Sequence, residues 1–418
     1  MGCFSRSSPA TAKGPCVACC KADHATDDQL SQAGATRIAA LTGARNTPSS
    51  SASAPASAEG APSGRVNSDC AQQARTLAPI VQRFDRYREA LPSARAAADL
   101  NELGDKAGDE PSKKPCLTRL PVDAVGLNAA LGLPPGDLKD GDLRDDNTGF
   151  RAAMYRDEET GKLILVPRDT QPDSLVDWQA NTRNGVGQDT DQYSAMRRLT
   201  GTIASSGQAF DIAGYSKGGG IAQEGGLMSA LSQVRVFNSA GLPDNALGWT
   251  GQTSFSDLTS RTKAFNAEGD FLTFMNKTTD PGQSIINAMF LRRELAGQGQ
   301  GINPINIKVR NPAMRGLDDP GFDDAKESYL AELDRHIDVM QRAYDTGGVV
   351  EGFPPVRAES QETINDSMTA AGKLFGARSD QPTLGKLAQH KMSAVLDSME
   401  SNVSKDRKSL QSFLQGCG

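Results

Sequence analysis

The apolar run Phe210-Asp211-Ile212-Ala213 is followed directly by Gly214-Tyr215-Ser216-Lys217-Gly218, and this segment is the strongest indication of the fold. The first four residues predict a short strand, and the next five read G-x-S-x-G. This is the pattern of a nucleophile elbow, a strand that turns sharply into a helix and exposes a serine hydroxyl from a strained backbone. Glycines flank such a serine because the turn brings neighbouring backbones too close for a Cβ. The chain contains 42 glycines, so the alternative is a glycine-rich turn with a solvent-exposed serine.

The residues around the elbow have the pattern of a βαβ unit. A strand at 209–213, a helix at 217–231 and a strand at Val234–Asn238 predict a parallel strand pair with a right-handed crossover. Further strands are predicted at Lys263–Asn266 and Ile305–Arg310. The sequence therefore predicts an α/β fold, with a mostly parallel sheet flanked by helices.

Other segments extend this domain on both sides of the elbow. Phe150–Tyr155 and Lys162–Val166 predict a β-hairpin around a turn at 158–161. A polar helix is expected over 189–200. The apolar segment 283–295 predicts a helix bounded by glycine-rich sequence, which is either a lid over an apolar site or a plain core helix.

Composition divides the chain into four parts. Residues 1–69 are rich in Ser, Ala and Pro and nearly lack aromatic side chains, which predicts a disordered tail. A helix that ends at Pro92 and a polar linker are expected within 70–117. The α/β domain is expected over 118–350, and a peripheral helical appendage over 351–418.

Charge and hydropathy exclude several classes of function. The net charge of −6 and the isoelectric point near 5.3 argue against nucleic acid as a partner. No apolar run is long enough for a transmembrane helix, and the N-terminus lacks the apolar core of a secretory signal peptide.

The seven cysteines cluster towards the termini, and the interval 117–416 contains none, which argues against a disulfide framework. No histidine and cysteine spacing predicts a metal site, and no cofactor motif is present. After removal of the initiator methionine, Gly2 and Cys3 would be candidates for myristoylation and palmitoylation, although Arg6 stands where the acylation motif has Ser or Thr.

A serine nucleophile needs a base, and this chain has only three histidines. His24 lies in the predicted tail and His390 in a C-terminal helix, so His336 is the candidate base. The order Ser, acid, His along the chain is the order found in α/β-hydrolases.

The orienting acid is expected at the end of a strand between the serine and the histidine. Asp270 follows the strand at Lys263 through a glycine and is favoured, with Glu268 as the alternative. Two backbone amides must also bind the oxyanion. The amide after the nucleophile, Lys217, is one candidate, and Thr170 in the turn after Val166 is the other.

Several of these motifs together resemble the class 3 lipase family. The chain has an R-G-T-like turn after a strand, the pair Asp177-Trp178 followed by Asn181, the G-x-S-x-G pattern, and Val236–Gly241 on the next strand. The resemblance covers roughly 148–345. It implies an α/β-hydrolase fold that cleaves acyl ester bonds of lipids without a metal or other cofactor.

Carried over to this chain, the resemblance makes Ser216 the nucleophile, Asp270 the acid and His336 the base. Its lipid partners would be phospholipids or acylglycerols as substrates, or phosphoinositides as ligands if the protein works by binding. The chain departs from the family at Asp169, where the R-G-T turn has glycine. A carboxylate beside the oxyanion must either point away or weaken catalysis, so a lipid-binding protein with little turnover is the alternative function.

The tail, joined to a lipase-like domain without a signal peptide, also resembles the lipase-like type III effectors of plant-pathogenic bacteria. That resemblance implies delivery into a host cell, action in the host cytoplasm or at a host membrane, and host proteins as further partners.

Overall fold

The computed structural model describes most of the N-terminal half of the chain and parts of the C-terminal half. The described residues are 17–43, 68–103, 111–169, 189–243, 246–252, 255–267, 293–294, 305–307 and 392–417.

The helices and strands of these residues are as follows in chain order. The helices are α1 (Val17–Thr42), α2 (Ser68–Leu103), α3 (Ala124–Leu131), α4 (Asp191–Ser205), α5 (Ser216–Met228), α6 (Ala246–Thr250), α7 (Ser256–Arg261) and α8 (Met392–Gly416). The strands are β1 (Leu117–Arg119), β2 (Arg144–Asp145), β3 (Phe150–Asp157), β4 (Leu163–Pro167), β5 (Asp211–Tyr215), β6 (Val234–Phe237), β7 (Leu242–Pro243), β8 (Thr262–Ala267), β9 (Arg293–Glu294) and β10 (Ile305–Ile307).

Eight of the strands form one mixed sheet in the order β1-β3-β4-β5-β6-β8-β10, with β2 paired to β3. Strands β4, β5, β6, β8 and β10 are parallel neighbours, whereas β1, β2 and β4 run antiparallel to β3. Nearly every residue of β4, β5, β6 and β8 is buried, as expected for a parallel sheet that is covered on both faces, and only Asp211 and Lys263 are half-buried. The predicted α/β fold with a mostly parallel sheet is confirmed.

The local predictions around the elbow are also confirmed. The hairpin consists of β3 and β4, and Gly161 adopts a φ of 75° in its turn. The βαβ unit consists of β5, α5 and β6, with Gly214 paired to Val236 in parallel register. The predicted helix 283–295 lies largely outside the described residues, but Arg293–Glu294 within it is a strand that pairs with β7.

Side-chain caps fix where two of the helices begin. Asp123 precedes α3 and its carboxylate accepts a hydrogen bond from the Gly126 amide at 2.7 Å. Thr190 caps α4 through the amide of Tyr193. Such caps satisfy backbone donors that the first helical turn leaves without partners.

The chain divides into two units, one of Met1–Leu91 with Met399–Gly418 and the other of Pro92–Ser398. In the first unit, Arg407 of α8 forms a two-point ion pair with Asp27 of α1, at 2.7 and 2.5 Å. Arg83 of α2 pairs in the same way with the buried Asp406 of α8, at 2.9 and 2.5 Å. Helix α8 therefore packs with the N-terminal helices α1 and α2 within this unit.

Three sequence predictions fail in the flanking helices. The predicted disordered tail contains α1, so that prediction is wrong for Val17–Thr42. The helix expected to end at Pro92 continues to Leu103. The cysteine distribution argued against disulfides, yet Cys70 is bonded to Cys417, and Cys116 is also disulfide-bonded.

No helix in the described part of the chain combines the length and the apolar character that crossing a membrane requires.

Candidate active site

Ser216 lies at the junction between β5 and α5, at the carboxyl edge of the parallel sheet. Its φ is 53°, in the left-handed region that residues with a side chain rarely adopt. Such strain persists only where the surrounding structure enforces it, and it is typical of functional sites. The residue is half-buried. The predicted elbow is therefore present, with its serine in the strained conformation that the motif predicts.

The flanking glycines are required by close backbone contacts. A Cβ on Gly214 would lie 2.2 Å from the Gly218 carbonyl oxygen, and a Cβ on Gly218 would lie 2.6 Å from the carbonyl oxygen of Pro167. Both distances are shorter than any Cβ tolerates. The elbow thus packs backbone against backbone, both within itself and against the end of β4.

The loop after β6 holds the elbow from the other side. The Ala240 amide donates to the carbonyl oxygen of Ser216 at 2.8 Å. The buried Gln223 of α5 donates to the hydroxyl of Ser239 at 3.0 Å and to the carbonyl oxygen of Ala240 at 2.9 Å. The hydrogen bond from Ala240 therefore fixes the backbone of Ser216, and Gln223 in turn holds the loop that supplies it.

The side chain of Lys217 is buried although it carries an ammonium group. Its Nζ donates to Gln192 Oε1 at 2.9 Å, and Gln192 Nε2 donates to the carbonyl oxygen of Thr148 at 2.9 Å. This chain of hydrogen bonds ties the residue after the serine to the start of α4 and to the loop before β3. It therefore fixes the peptide that carries the Lys217 amide.

The backbone amide of Lys217, one of the two predicted oxyanion donors, already has an acceptor. It donates to Oδ1 of Asp169 at 2.9 Å. Of the two expectations for Asp169, the structure excludes the one in which its carboxylate points away from the site. A carboxylate at the start of α5 is favourable in itself, because it meets the positive end of the helix dipole.

A second charged cluster lies deeper along α5. Glu224 is fully buried and accepts from Arg197 at 2.5 Å, and Arg197 also pairs with Asp189. Burial raises the pKa of Glu224 to about 7, against the opposing effect of Arg197. The guanidinium of Arg197 lies 5.8 Å from the ring centroid of Trp249. This cluster joins α4 to the helix that begins at the serine.

The other predicted site residues fall outside the described residues: Thr170, Asp270, His336, and the acylation candidates Gly2 and Cys3. Strand β8, which precedes the candidate acid, ends at Ala267. Its register places Phe265 beside Phe237, which in turn lies beside Tyr215, so the chain leaves β8 at the same sheet edge as the serine. The roles of these residues remain predictions.

The side chains of Gln192 and Gln223, which support the elbow, are not indicated by the sequence. Neither residue belongs to a motif. Gln192 contacts a residue 44 positions away in the chain, and Gln223 contacts one 17 positions away. Only burial of a polar side chain identifies such residues, and burial is visible only in the folded structure.

Comparison with known proteins agrees with the elbow and the sheet around it. Residues 108–305 match the Tle-like phospholipase domain. The matched segment includes the hairpin, the elbow and the strands up to the start of β10. An extracellular phospholipase A1 of Serratia liquefaciens is 34% identical over 110 residues, which is 26% of this chain and 33% of that protein. The chain thus spans about a third of the length of that relative. Both matches support a lipase-like family, in line with the resemblance inferred from the motifs.

Proposed function

We propose that this chain is a serine hydrolase that cleaves acyl ester bonds of membrane lipids, with phospholipids or acylglycerols as substrates. The observation that carries the proposal is the strained Ser216 at the β5–α5 elbow. The match of residues 108–305 to the Tle-like phospholipase domain supports lipid esters as the substrate class.

In the proposed mechanism, Ser216 Oγ attacks the acyl carbonyl carbon and transfers its proton to His336. The carbonyl electron pair moves onto oxygen, and the amides of Lys217 and Thr170 bind that oxyanion. Collapse of the intermediate expels the alcohol, which takes the proton from His336, and leaves the acyl group on the serine. Water then attacks the acyl carbon and gives a proton to His336. Collapse of this second intermediate releases the fatty acid and returns the proton to Ser216 Oγ.

The fold supports Asp270 as the residue that orients the base. It follows the end of β8 by three residues, and β8 is separated from the elbow strand only by β6. A carboxylate there would reach the site from the sheet edge that carries the serine. Glu268 is closer to the strand end and is the alternative.

A second candidate function is lipid binding with little or no turnover. The observation that favours it is the hydrogen bond from the Lys217 amide to Asp169, because it leaves one oxyanion donor engaged by a carboxylate. Phospholipids or phosphoinositides would then be ligands and not substrates.

Fatty acid release from mixed phospholipid vesicles distinguishes the two functions. The hydrolase predicts release by the purified full chain and none by Ser216→Ala. Vesicle binding by both forms without release from either supports the binding function. Equal release by both forms contradicts the serine mechanism.

We further infer that the protein works in an oxidising compartment. Disulfides persist outside the cytoplasm and are rare within it, and this chain has a bond from Cys70 to Cys417. The relative from Serratia liquefaciens is named an extracellular enzyme. Type III delivery, host protein partners and acylation of Gly2 and Cys3 remain predictions from sequence, and the disulfide counts against the host cytoplasm as the place of action.

A further inference from the structure

One hydrogen bond in the site conflicts with the proposed chemistry. The Lys217 amide donates to Asp169 Oδ1 at 2.9 Å. An oxyanion-hole donor must lie about 2.7–3.1 Å from the oxygen that becomes negatively charged. The carboxylate oxygen of Asp169 and the substrate oxyanion therefore compete for one N–H group.

The carboxylate is held in this position by the fold. Asp169 directly follows Pro167 and Arg168, whose backbone packs against Gly218 so closely that a Cβ there would meet Pro167 O at 2.6 Å. The amide partner is equally fixed, because the Lys217 side chain is buried and bonded to Gln192. Since both backbones are fixed, rotation of the Asp169 side chain is the motion that frees the amide.

The contact also stabilises the protein in the resting state. The first amides of a helix have no partner within the helix, and α5 begins at Ser216. A carboxylate satisfies such an amide and meets the positive end of the helix dipole. The state in which Asp169 caps Lys217 is thus favoured in the absence of substrate.

We propose that Asp169 is a built-in competitor of the oxyanion, an autoinhibitory contact that keeps the hydrolase in a low-activity state until an acyl substrate displaces the carboxylate. This inference rests on the proposed hydrolase function. It explains how one chain can have a complete elbow and also a carboxylate at the position where negative charge must develop. The carboxylate mimics the charge and position of the oxyanion and does not take part in the reaction.

The contact makes a specific kinetic prediction. Displacement of the carboxylate must precede the acylation transition state, so it raises the barrier measured from free enzyme and substrate. Removal of the carboxylate should then raise kcat/KM. One oxyanion donor is worth about 10²–10³-fold in rate, and a donor that is engaged but exchangeable should give a gain of about 10- to 100-fold.

The test uses the full chain with its disulfides intact. Asp169→Asn removes the charge at nearly constant volume, and Asp169→Gly removes the side chain altogether. Asp123→Asn is the matched control, because Asp123 makes the same carboxylate-to-amide cap on α3. For each form, kcat/KM is measured on 4-nitrophenyl butyrate, together with the rate at which a fluorophosphonate labels Ser216 and the melting temperature.

Autoinhibition predicts that Asp169→Gly gains about 10- to 100-fold in kcat/KM and in labelling rate. Asp169→Asn should gain less, because its amide oxygen still accepts from the Lys217 N–H, and Asp123→Asn should keep the wild-type rates. The proposal is overturned if the wild type is active and neither Asp169 variant is faster. Asp169 is then only a helix-capping residue, or it contributes to catalysis instead of opposing it. If no form hydrolyses the ester or is labelled, the proposed hydrolase function fails, and the autoinhibition fails with it. Activity of the wild type and of Asp123→Asn shows that the hydrolase function holds, and unchanged rates of the Asp169 variants then count against autoinhibition alone.

Discussion

The close approach of α5 to the end of β4 gives a stability prediction for Gly218→Ala. The added Cβ would lie 2.6 Å from Pro167 O and 3.1 Å from the carbonyl carbon and oxygen of Arg168. These are backbone atoms of a buried strand end, so they cannot move aside cheaply. The backbone must shift by several tenths of an ångström, and such overpacking costs about 1–3 kcal/mol.

Gly201→Ala in α4 is the matched control for that substitution. Its Cβ would find only Met228 Cε, at 3.8 Å, which is an ordinary contact. Alanine is favoured over glycine in a helix interior by about 1 kcal/mol, so Gly201→Ala should raise the free energy of unfolding by up to that amount. Gly218 lies in the first turn of α5, where alanine gains less over glycine than it does in a helix interior. The difference between the two variants should therefore be about 1–3 kcal/mol from the close contact, plus up to about 1 kcal/mol from helix propensity.

The assay is urea unfolding followed by circular dichroism, with ester hydrolysis measured on the same samples. Gly218→Ala should also lose activity, because it displaces the backbone that leads to Asp169 and the predicted oxyanion loop. A displacement near 1 Å can cost about 10²-fold in rate. Equal stability of the two variants, with full activity of Gly218→Ala, would refute the argument that backbone contact at the elbow requires glycine.

Two further predictions concern groups away from the serine. Because the pKa of Glu224 is raised to about 7 in the folded state from 4.5, its stabilising contribution is full below pH 4.5 and is lost as the pH rises through 7. Between pH 4.5 and 7, the free energy of unfolding of the wild type should fall by up to about 1.4 kcal/mol per pH unit, and that of Glu224→Gln should not show this fall. Parallel curves of unfolding free energy against pH would contradict the burial of the Glu224 carboxyl beside Arg197. Reduction of the bond between Cys70 and Cys417, or Cys70→Ser, should lower the free energy of unfolding of the first unit by about 2–5 kcal/mol. An unchanged denaturation midpoint after reduction would contradict a stabilising role for this bond.

The sheet and the elbow were predictable because their signals are local. A strand pattern, G-x-S-x-G and a second strand lie within 30 residues, and each glycine at Gly214 and Gly218 has a steric reason. The flanking helices were not predictable in the same way. Helix α1 has few large apolar side chains and is held by long-range contacts such as Arg407 with Asp27, which no local pattern reports.

The continuation of α2 past Pro92 and the pairing of the cysteines could not be predicted from neighbouring residues either. A proline disfavours a helix by about 3 kcal/mol, but α2 continues past Pro92 with buried alanines and leucines on both sides. Tertiary packing outweighs the local penalty there. The pairing of Cys70 with Cys417 joins residues 347 positions apart, and spacing along a sequence does not encode such a bond.

At the elbow, the sequence predicted the strained serine and its flanking glycines but not the contacts that hold them, and the base, the acid and the second oxyanion amide stay predictions. The sequence identified Asp169 as the departure from the family pattern, but only the structure gives the direction of its carboxylate. That direction changes the interpretation of the site, since the carboxylate engages the Lys217 amide and does not point to solvent.

Covalent labelling reports directly on whether Ser216 is a nucleophile. The full chain is treated with a fluorophosphonate, and the modified residue is located by peptide mass spectrometry, with and without phospholipid vesicles as competitors. A nucleophilic Ser216 should give a single adduct on that residue, which the vesicles suppress and which heat-denatured protein does not form. An adduct on another residue, or none in either the wild type or Asp169→Gly, would rule out Ser216 as the nucleophile.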